Sequence, residues 1–170
     1  MTERLTLVSL PAGALRDLVA GRTASTERRL RVRLPGSFAQ RAHRILQVRL
    51  RDIERDPGAR PWLLRLIALT DRDARTVVGL IGFHGRPDAS GRAEVGYEIF
   101  EPFRRRGYAR EAVLGLLAWA ARRHRVRTFV AAIAPDNEPS MRLARRIGFR
   151  QVGAQIDEQD GLELVYELRR

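Results

Sequence analysis

The strongest pattern in this sequence is a helix placed between two apolar strands, and it restricts the possible folds more than any other feature. Small and apolar side chains at the spacing of one buried helix face are Ala109, Ala112, Val113, Leu116, Leu117 and Ala120. Residues 93–100 before this helix and 129–134 after it are predicted strands. A strand, helix, strand order closes as a right-handed crossover, so we expect these two strands to pair in parallel.

Weaker patterns predict the remaining elements. Further strands are predicted at residues 5–10, 62–69, 76–83, 149–152 and 162–168. Further helices are predicted at residues 12–19, at 38–53 before Pro57, and between Asn137 and Gly148. Polar turns at 71–73 and 85–91 favour an antiparallel meander, while the basic segment 22–36 is predicted to be a loop. The expected fold class is α+β, with a mixed, mostly antiparallel sheet of roughly six or seven strands and helices on both faces.

Length and composition limit the class of protein. A chain of 170 residues, 44% hydrophobic and 31% charged, has material for one core, so residues 1–170 are expected to form a single domain. The absence of cysteine excludes disulfides, thiolate zinc sites and an acyl-enzyme formed on a thiol. The first residues lack a secretory pattern, and no apolar run reaches the roughly 20 residues that span a bilayer. We therefore expect a cytoplasmic protein without membrane contact.

The net charge of +12 comes from 32 basic residues, all of them arginine. Such a chain attracts polyanions, which include nucleic acids as well as nucleotide cofactors. A basic nucleic-acid-binding or ribosome-associated protein is therefore one hypothesis. However, the arginines are scattered, and neither an aromatic-rich ribonucleoprotein motif nor a zinc-finger spacing accompanies them. A general preference of the source genome for arginine explains the charge better.

A glycine-containing turn at the start of the central helix is the best candidate binding site. It comprises Arg104, Arg105, Arg106, Gly107, Tyr108, Ala109 and Arg110. The first N–H groups of a helix have no partner within the helix, and the helix dipole favours an anion there. Gly107 would let the backbone approach a phosphate closely, and the arginines would add donors.

Three segments resemble the GNAT superfamily of N-acetyltransferases. Arg104, Gly107 and Ala109 match the pyrophosphate signature of that family, Arg/Gln-x-x-Gly-x-Gly/Ala. Residues 95–102 resemble its fourth strand. Residues 134–140 and 146–149 resemble its second cofactor segment, in which an Asn and a nearby Ser precede a helix that ends in Gly-Phe. The resemblance covers residues 76–168 and is greatest for the subgroup that contains ribosomal-protein alanine N-acetyltransferases.

This resemblance implies that an amine attacks acetyl-CoA directly within a ternary complex, with acetyl-CoA as cosubstrate and no metal. It implies that the backbone of Tyr97, Glu98 and Ile99 aligns the pantetheine arm and offers an N–H to the thioester oxygen. Asn137 and Ser140 would complete the cofactor site with the turn. The acceptor, a small amine or a protein N-terminus, stays undefined, as does the choice between monomer and homodimer. A CoA-binding sensor without chemistry is an alternative.

Catalysis requires a base for the ammonium form of the acceptor and an acid for the departing thiolate. Glu94 and Glu98 lie on the strand beside the expected cofactor, and His84 ends the strand before it, so each is a candidate base. Relatives often carry a tyrosine at the position occupied here by Ala144. This departure leaves Ser140, or water, as the candidate acid.

Overall fold

The computed structural model describes residues 2–70, 75–158 and 161–170 of the chain. The strands are β1 (Leu5–Ser9), β2 (Val32–Arg33), β3 (Arg65–Leu69), β4 (Arg75–Phe83), β5 (Arg92–Ile99), β6 (Thr128–Ile133), β7 (Arg150–Asp157) and β8 (Gly161–Arg169). The helices are α1 (Ala12–Val19), α2 (Thr23–Leu30), α3 (Phe38–Arg55), α4 (Tyr108–His124) and α5 (Glu138–Ile147). The two long helices, α3 and α4, confirm the predictions made from apolar periodicity.

The strands form one mixed sheet in the order β1-β3-β4-β5-β6-β8-β7. The short β2 is not part of this order and pairs with β4. β5 and β6 pair in parallel, as do β2 and β4, whereas the other described neighbours are antiparallel. The parallel pairing of β5 with β6 confirms the crossover predicted around α4. The predicted α+β fold class is confirmed, with β2 as an additional strand.

Helices cover both faces of the sheet and bury two apolar cores. One core lies beneath α4, where Val113 is 2% exposed and Leu116 and Leu117 are fully buried. The other core lies beneath α1 and α3 and includes Phe38 and Leu46. The turn that precedes α4 is therefore held in place by a helix that packs firmly on the sheet.

The segment 22–36 was predicted to be a loop, and this prediction is wrong because the segment contains α2 and β2. α2 has a single buried residue, Thr26, so its apolar pattern is too weak to reveal a helix. Contacts from other segments hold it. The Thr26 hydroxyl donates to the Ala14 carbonyl at 3.4 Å, and Glu27 accepts from the Leu34 amide at 2.8 Å. Tertiary contacts thus override a weak local preference.

β7 is longer than predicted, since it extends to Asp157 rather than ending at residue 152. Its side chains are exposed along almost the whole strand, so no alternation of apolar and polar residues marks it in the sequence. Antiparallel pairing with β8 defines it instead. The strand predicted at 62–69 begins only at Arg65, and the predicted turn at 71–73 lies outside the described residues.

Candidate active site

The turn before α4 contains two residues in the left-handed conformation. Arg105 has a φ of 61° and Gly107 a φ of 80°. Gly107 adopts this conformation without strain because it has no Cβ, and α4 begins directly after it at Tyr108. Backbone that changes hand in this way directs successive N–H groups toward one concave side, which is a shape that binds anions.

The N–H groups of this turn are available to a ligand. Glu111 donates its amide to the Gly107 carbonyl at 3.2 Å, as the first bond of the helix. Within residues 2–70, 75–158 and 161–170, the amides of residues 105–110 have no protein acceptor. Residues 104–107 are also exposed. Unpaired N–H groups at the positive end of a helix dipole form a site for a phosphate-like anion.

The predicted arginines of the turn have different roles. Arg104 donates from Nε to the Ile99 carbonyl at 3.0 Å, so its guanidinium ties the turn to the end of β5. Arg105, Arg106 and Arg110 are exposed, and the Arg106 guanidinium lies 6.0 Å from the centre of the Phe103 ring. Ala109 is half-buried against the core beneath α4. Arg104 is thus structural, while the other arginines can approach an anion.

Arg4 is a further cation at this turn that the sequence did not predict. Its Nη1 donates to the Arg106 carbonyl at 3.2 Å, and its Nε donates to the Glu111 carboxylate at 2.7 Å. Its guanidinium also lies 5.0 Å from the centre of the Tyr108 ring. Because Arg4 and Arg106 are 102 residues apart, no local pattern could have revealed this contact.

β5 and β6 separate beside the turn. Their parallel pairing covers residues 92–94 of β5 and 128–130 of β6, whereas β5 remains paired with β4 as far as Ile99. Beyond these residues the edges of β5 and β6 that face each other are not paired, and a gap lies between them. The gap opens toward the end of β5 from which the chain enters the turn.

Backbone groups of β5 point into this gap at alternate residues. The His84 amide donates to the Glu94 carbonyl, and the Phe100 amide donates to the Val78 carbonyl, each at 2.9 Å. These bonds direct the even-numbered residues of β5 toward β4. The backbone N–H and C=O groups of Tyr97 and Ile99 consequently point toward the gap. The backbone of Glu98 points toward β4. Of the three residues predicted to offer their backbone to a cofactor, only Tyr97 and Ile99 therefore direct it toward the gap.

The hydroxyl groups of Ser140 and Tyr97 meet on the α5 side of the gap. Asn137 caps α5, and its Oδ1 accepts from the Ser140 amide at 3.2 Å. The Ser140 hydroxyl faces the Tyr97 phenol. Burial raises the pKa of Tyr97, and the contact with Ser140 offsets part of this rise. Ala144 is 6% exposed and packs in the core, so the helix itself supplies no tyrosine here.

His84 and Glu94, predicted as separate candidate bases, form one hydrogen-bonded pair. Nδ1 of His84 lies 3.0 Å from the Glu94 carboxylate. The bond from His84 lowers the pKa of Glu94, although burial acts in the opposite direction. The other ring nitrogen, Nε2, lies above Gly96, where a Cβ would come within 2.7 Å of it. The missing side chain of Gly96 therefore makes room for the imidazole directly above β5.

A cavity of about 200 Å³ opens beside this pair. Its lining includes His84, Glu98 and, from α3, Arg49. Arg49 is 9% exposed and binds Asp52 at 2.9 Å, so its charge is already partnered. Glu98 is half-exposed and lies 3.8 Å from Arg41. Pockets for whole small ligands usually exceed about 300 Å³, so this cavity fits only one end of a substrate.

Other kinds of site find little support in the described chain. Across residues 2–70, 75–158 and 161–170, no helix is both long enough and apolar enough to cross a membrane. Over the same ranges, the His, Asp and Glu side chains form no group of three that could hold a metal ion. The exposed turn before α4, the gap between β5 and β6 and the His84–Glu94 pair are the features that the described residues bring together.

Comparisons with known proteins identify the family of this chain. Residues 4–150 match a family model described as an acetyltransferase (GNAT) domain. A segment of 82 residues is 34% identical to YoaA, named as an N-acetyltransferase, of Bacillus subtilis (strain 168), and it spans 48% of this chain and 46% of that protein. The chain thus matches about half the length of this curated relative.

Solved structures of acetyltransferases share the fold. The acetyltransferase from Agrobacterium tumefaciens strain C58 is 26% identical, with a TM-score of 0.63 over 100% of this chain and 93% of its own. RimL, the ribosomal L7/L12 alpha-N-protein acetyltransferase solved in complex with coenzyme A, is 18% identical, with a TM-score of 0.64 over 99% of this chain and 95% of its own. The latter similarity concerns the fold alone.

Proposed function

We propose, from the premise that this chain belongs to the GNAT acetyltransferase family, that it transfers the acetyl group of acetyl-CoA to a primary amine by direct attack. One observation carries the proposal. In the described chain, the unpaired amides of residues 105–110 adjoin the gap between β5 and β6. A diphosphate with an extended arm, which is the shape of coenzyme A, suits this combination of an anion site and an open strand edge.

The turn would hold the pyrophosphate. The amides around Gly107 would donate to phosphate oxygens, and the exposed Arg105 and Arg106 would add charge-assisted bonds. Arg4 would support the turn from behind, because it already binds the Arg106 carbonyl and Glu111. Asn137 and Ser140 would border the arm from the α5 side.

The pantetheine arm would lie along β5 in the gap. Tyr97 directs its backbone N–H and C=O there and Ile99 its N–H, since the Ile99 carbonyl already accepts from Arg104, so these groups would pair with the arm as a neighbouring strand does. One of these N–H groups would donate to the thioester oxygen, where negative charge develops as the amine attacks. A fixed donor at that point lowers the barrier more than a mobile water would.

His84 would act as the general base and Glu94 would position it. At neutral pH only about one alkyl amine in a thousand or fewer is uncharged, so the acceptor must lose a proton. Nε2 of His84 would take this proton as the new N–C bond forms, directly or through one water. The lowered pKa of Glu94 makes it a poor base but a good acceptor for the Nδ1 proton. His84 and Glu94, which were alternative candidate bases in the sequence, would therefore act together.

The C–S bond breaks as the N–C bond forms, and the coenzyme A thiolate then requires a proton. Ser140 would supply it, with the neighbouring Tyr97 phenol replenishing the serine hydroxyl. Both groups lie on the α5 side of the gap, and Ala144 cannot take this role because it has no proton to donate. No acyl-enzyme is formed in this scheme.

The acceptor would present its amine through the cavity beside His84 and Glu98. A volume of about 200 Å³ accommodates the reactive end of a small amine or the first residue of a polypeptide, and larger parts would stay outside. RimL acts on a ribosomal protein N-terminus according to its name, and such an N-terminus is one acceptor to test. A sensor that binds coenzyme A without turnover is the competing function.

Release of free coenzyme A during incubation with acetyl-CoA and a panel of amines and N-terminal peptides tests the proposal. Gly107→Glu should abolish acetyl-CoA binding in calorimetry, since it fills the turn, strains a residue at φ 80° and adds a negative charge. Gly21→Glu is the matched control. Gly21 has a φ of 75° with no atom near its Cβ position, so this variant adds the same strain and charge away from the site.

The outcomes separate the hypotheses. Turnover with any amine, together with lost binding in Gly107→Glu and retained binding in Gly21→Glu, supports the enzyme. Tight binding without release of coenzyme A supports the sensor. Binding that survives Gly107→Glu contradicts the phosphate site itself.

A further inference from the structure

The segment 2–4, which precedes β1, lies on the first two turns of α4. The Thr2 hydroxyl donates to the Glu111 carboxylate at 2.6 Å, and the Arg4 amide donates to the same carboxylate oxygen at 2.8 Å. The Thr2 methyl group lies against Gly115, where a Cβ would come within 2.6 Å of it. Glycine weakens a helix interior, and here it makes room for this segment.

Glu111 places a negative charge at the same end of α4 as the exposed turn. It follows Gly107 by four residues, so the two positions lie on one face of the helix, one turn apart. Burial raises the pKa of Glu111, but the bonds from Thr2 and Arg4 outweigh burial and hold the pKa below its ordinary value of 4.5. The carboxyl group is therefore ionised at neutral pH. An unpaired carboxylate there would repel a diphosphate bound at the same helix end.

Arg4 brings the compensating positive charge to this helix end. Its Nε donates to Glu111 at 2.7 Å, and its Nη1 donates to the Arg106 carbonyl at 3.2 Å. Its Nη2 would lie 3.4 Å from a Cβ at Gly107, so the guanidinium reaches the middle of the turn. Over residues 2–70, 75–158 and 161–170, Arg4 is the one cation in an ion pair with Glu111. Loss of Arg4 would therefore leave this carboxylate unpaired.

We propose that Arg4 is a positioning residue of the cosubstrate site, which neutralises Glu111 and thereby lets the turn bind the diphosphate of acetyl-CoA. This inference rests on the proposed function, because it requires the turn to hold that diphosphate. Thr2 and Gly115 keep the segment 2–4 against α4, so the charge of Arg4 is already in place before the cosubstrate binds. The affinity for acetyl-CoA is thus set in part by a residue that lies 102 positions before Arg106.

Calorimetric titration with acetyl-CoA across a double-mutant cycle tests the proposal. Arg4→Gln should raise the dissociation constant about 10-fold at low salt, because it leaves the Glu111 carboxylate unpaired beside the diphosphate. The double variant Arg4→Gln/Glu111→Gln removes both charges and should return the constant to within about 3-fold of wild type. At about 1 M salt, where the Debye length is about 3 Å, the effect of Arg4→Gln should shrink to about 3-fold or less. A role of Arg4 in packing alone predicts no rescue, since the double variant loses the same contacts.

Arg16 and Glu54 provide a control cycle, since they form an exposed ion pair at 3.3 Å between α1 and α3, on the face of the sheet opposite α4. Arg16→Gln and Arg16→Gln/Glu54→Gln remove the same charges, and each should change the dissociation constant by less than about 2-fold. Thermal unfolding checks that every variant is folded. An Arg4→Gln variant with wild-type affinity, or a double variant without rescue, would overturn the inference and leave the proposed function intact. A wild type that does not bind acetyl-CoA would instead overturn the proposed function, and the inference with it.

Discussion

Two glycines contribute to the candidate site through the side chains they lack. Gly107 sustains a φ of 80° and leaves the amides of the turn open to an anion. Gly96 leaves the space above β5 in which the His84 imidazole lies. The first role follows from a local turn and was predicted. The second depends on the neighbouring strand, so Gly96 could not be identified from the sequence.

Gly96→Ala should displace His84, because its Cβ would lie 2.7 Å from Nε2. We expect kcat to fall about 10²-fold or more, which is the range for loss of a general base, while the affinity for acetyl-CoA stays unchanged. Steady-state kinetics and calorimetry measure the two effects, and His84→Gln should reproduce them. Full activity in a folded Gly96→Ala variant would show that His84 is not the base.

Glu94 should make stability depend on pH in a defined window. The bond from His84 holds the folded pKa of this carboxyl group below its ordinary value of 4.5. Its contribution to stability is therefore complete above the unfolded pKa and is lost as the pH falls through the folded pKa. In urea unfolding, the excess stability of wild type over Glu94→Gln should be largest near neutral pH and should shrink below about pH 4. An excess that does not change with pH would contradict this account.

At the scale of elements, a helix or strand could be predicted when its buried residues recur in the sequence with the period of that element. α3 and α4 each bury one apolar face, so periodicity revealed both. α2 buries little of its own surface, and β7 is exposed along nearly its whole length, so neither leaves a pattern to detect. These two elements are formed by pairing and contacts with distant segments.

The end of α5 offers a test of element stability apart from the site. Gly148 ends this helix at a φ of 108°, and a Cβ there would make only an ordinary contact with Leu168 at 3.5 Å. Gly148→Ala should therefore lower the free energy of unfolding by about 1–2 kcal/mol through backbone strain alone. Gly36→Ala, at an open position without a positive φ, should change it by less than about 0.5 kcal/mol. Equal effects in urea unfolding would argue against strain at the helix end.

At the scale of the whole molecule, two separate cores hold the sheet from opposite faces and thereby bring distant segments to one place. The turn before α4 meets Arg4 from the start of the chain, and the end of β4 meets β5 through His84 and Glu94. The overall positive charge suits a nucleotide cosubstrate.

The sequence by itself determined the α+β class, the crossover around α4 and the glycine turn that starts α4, because each depends on residues that are close in the chain. Helical periodicity, strand order and the backbone freedom of Gly107 act locally, so they leave a readable pattern. Only the tertiary structure decided that His84 and Glu94 form a pair, that Arg4 supports the turn, and that β5 and β6 diverge. The Arg4 contact and the divergence of β5 and β6 involve segments far apart in the chain, and the His84–Glu94 pair depends on the register of β4 against β5, so no local pattern encodes these features.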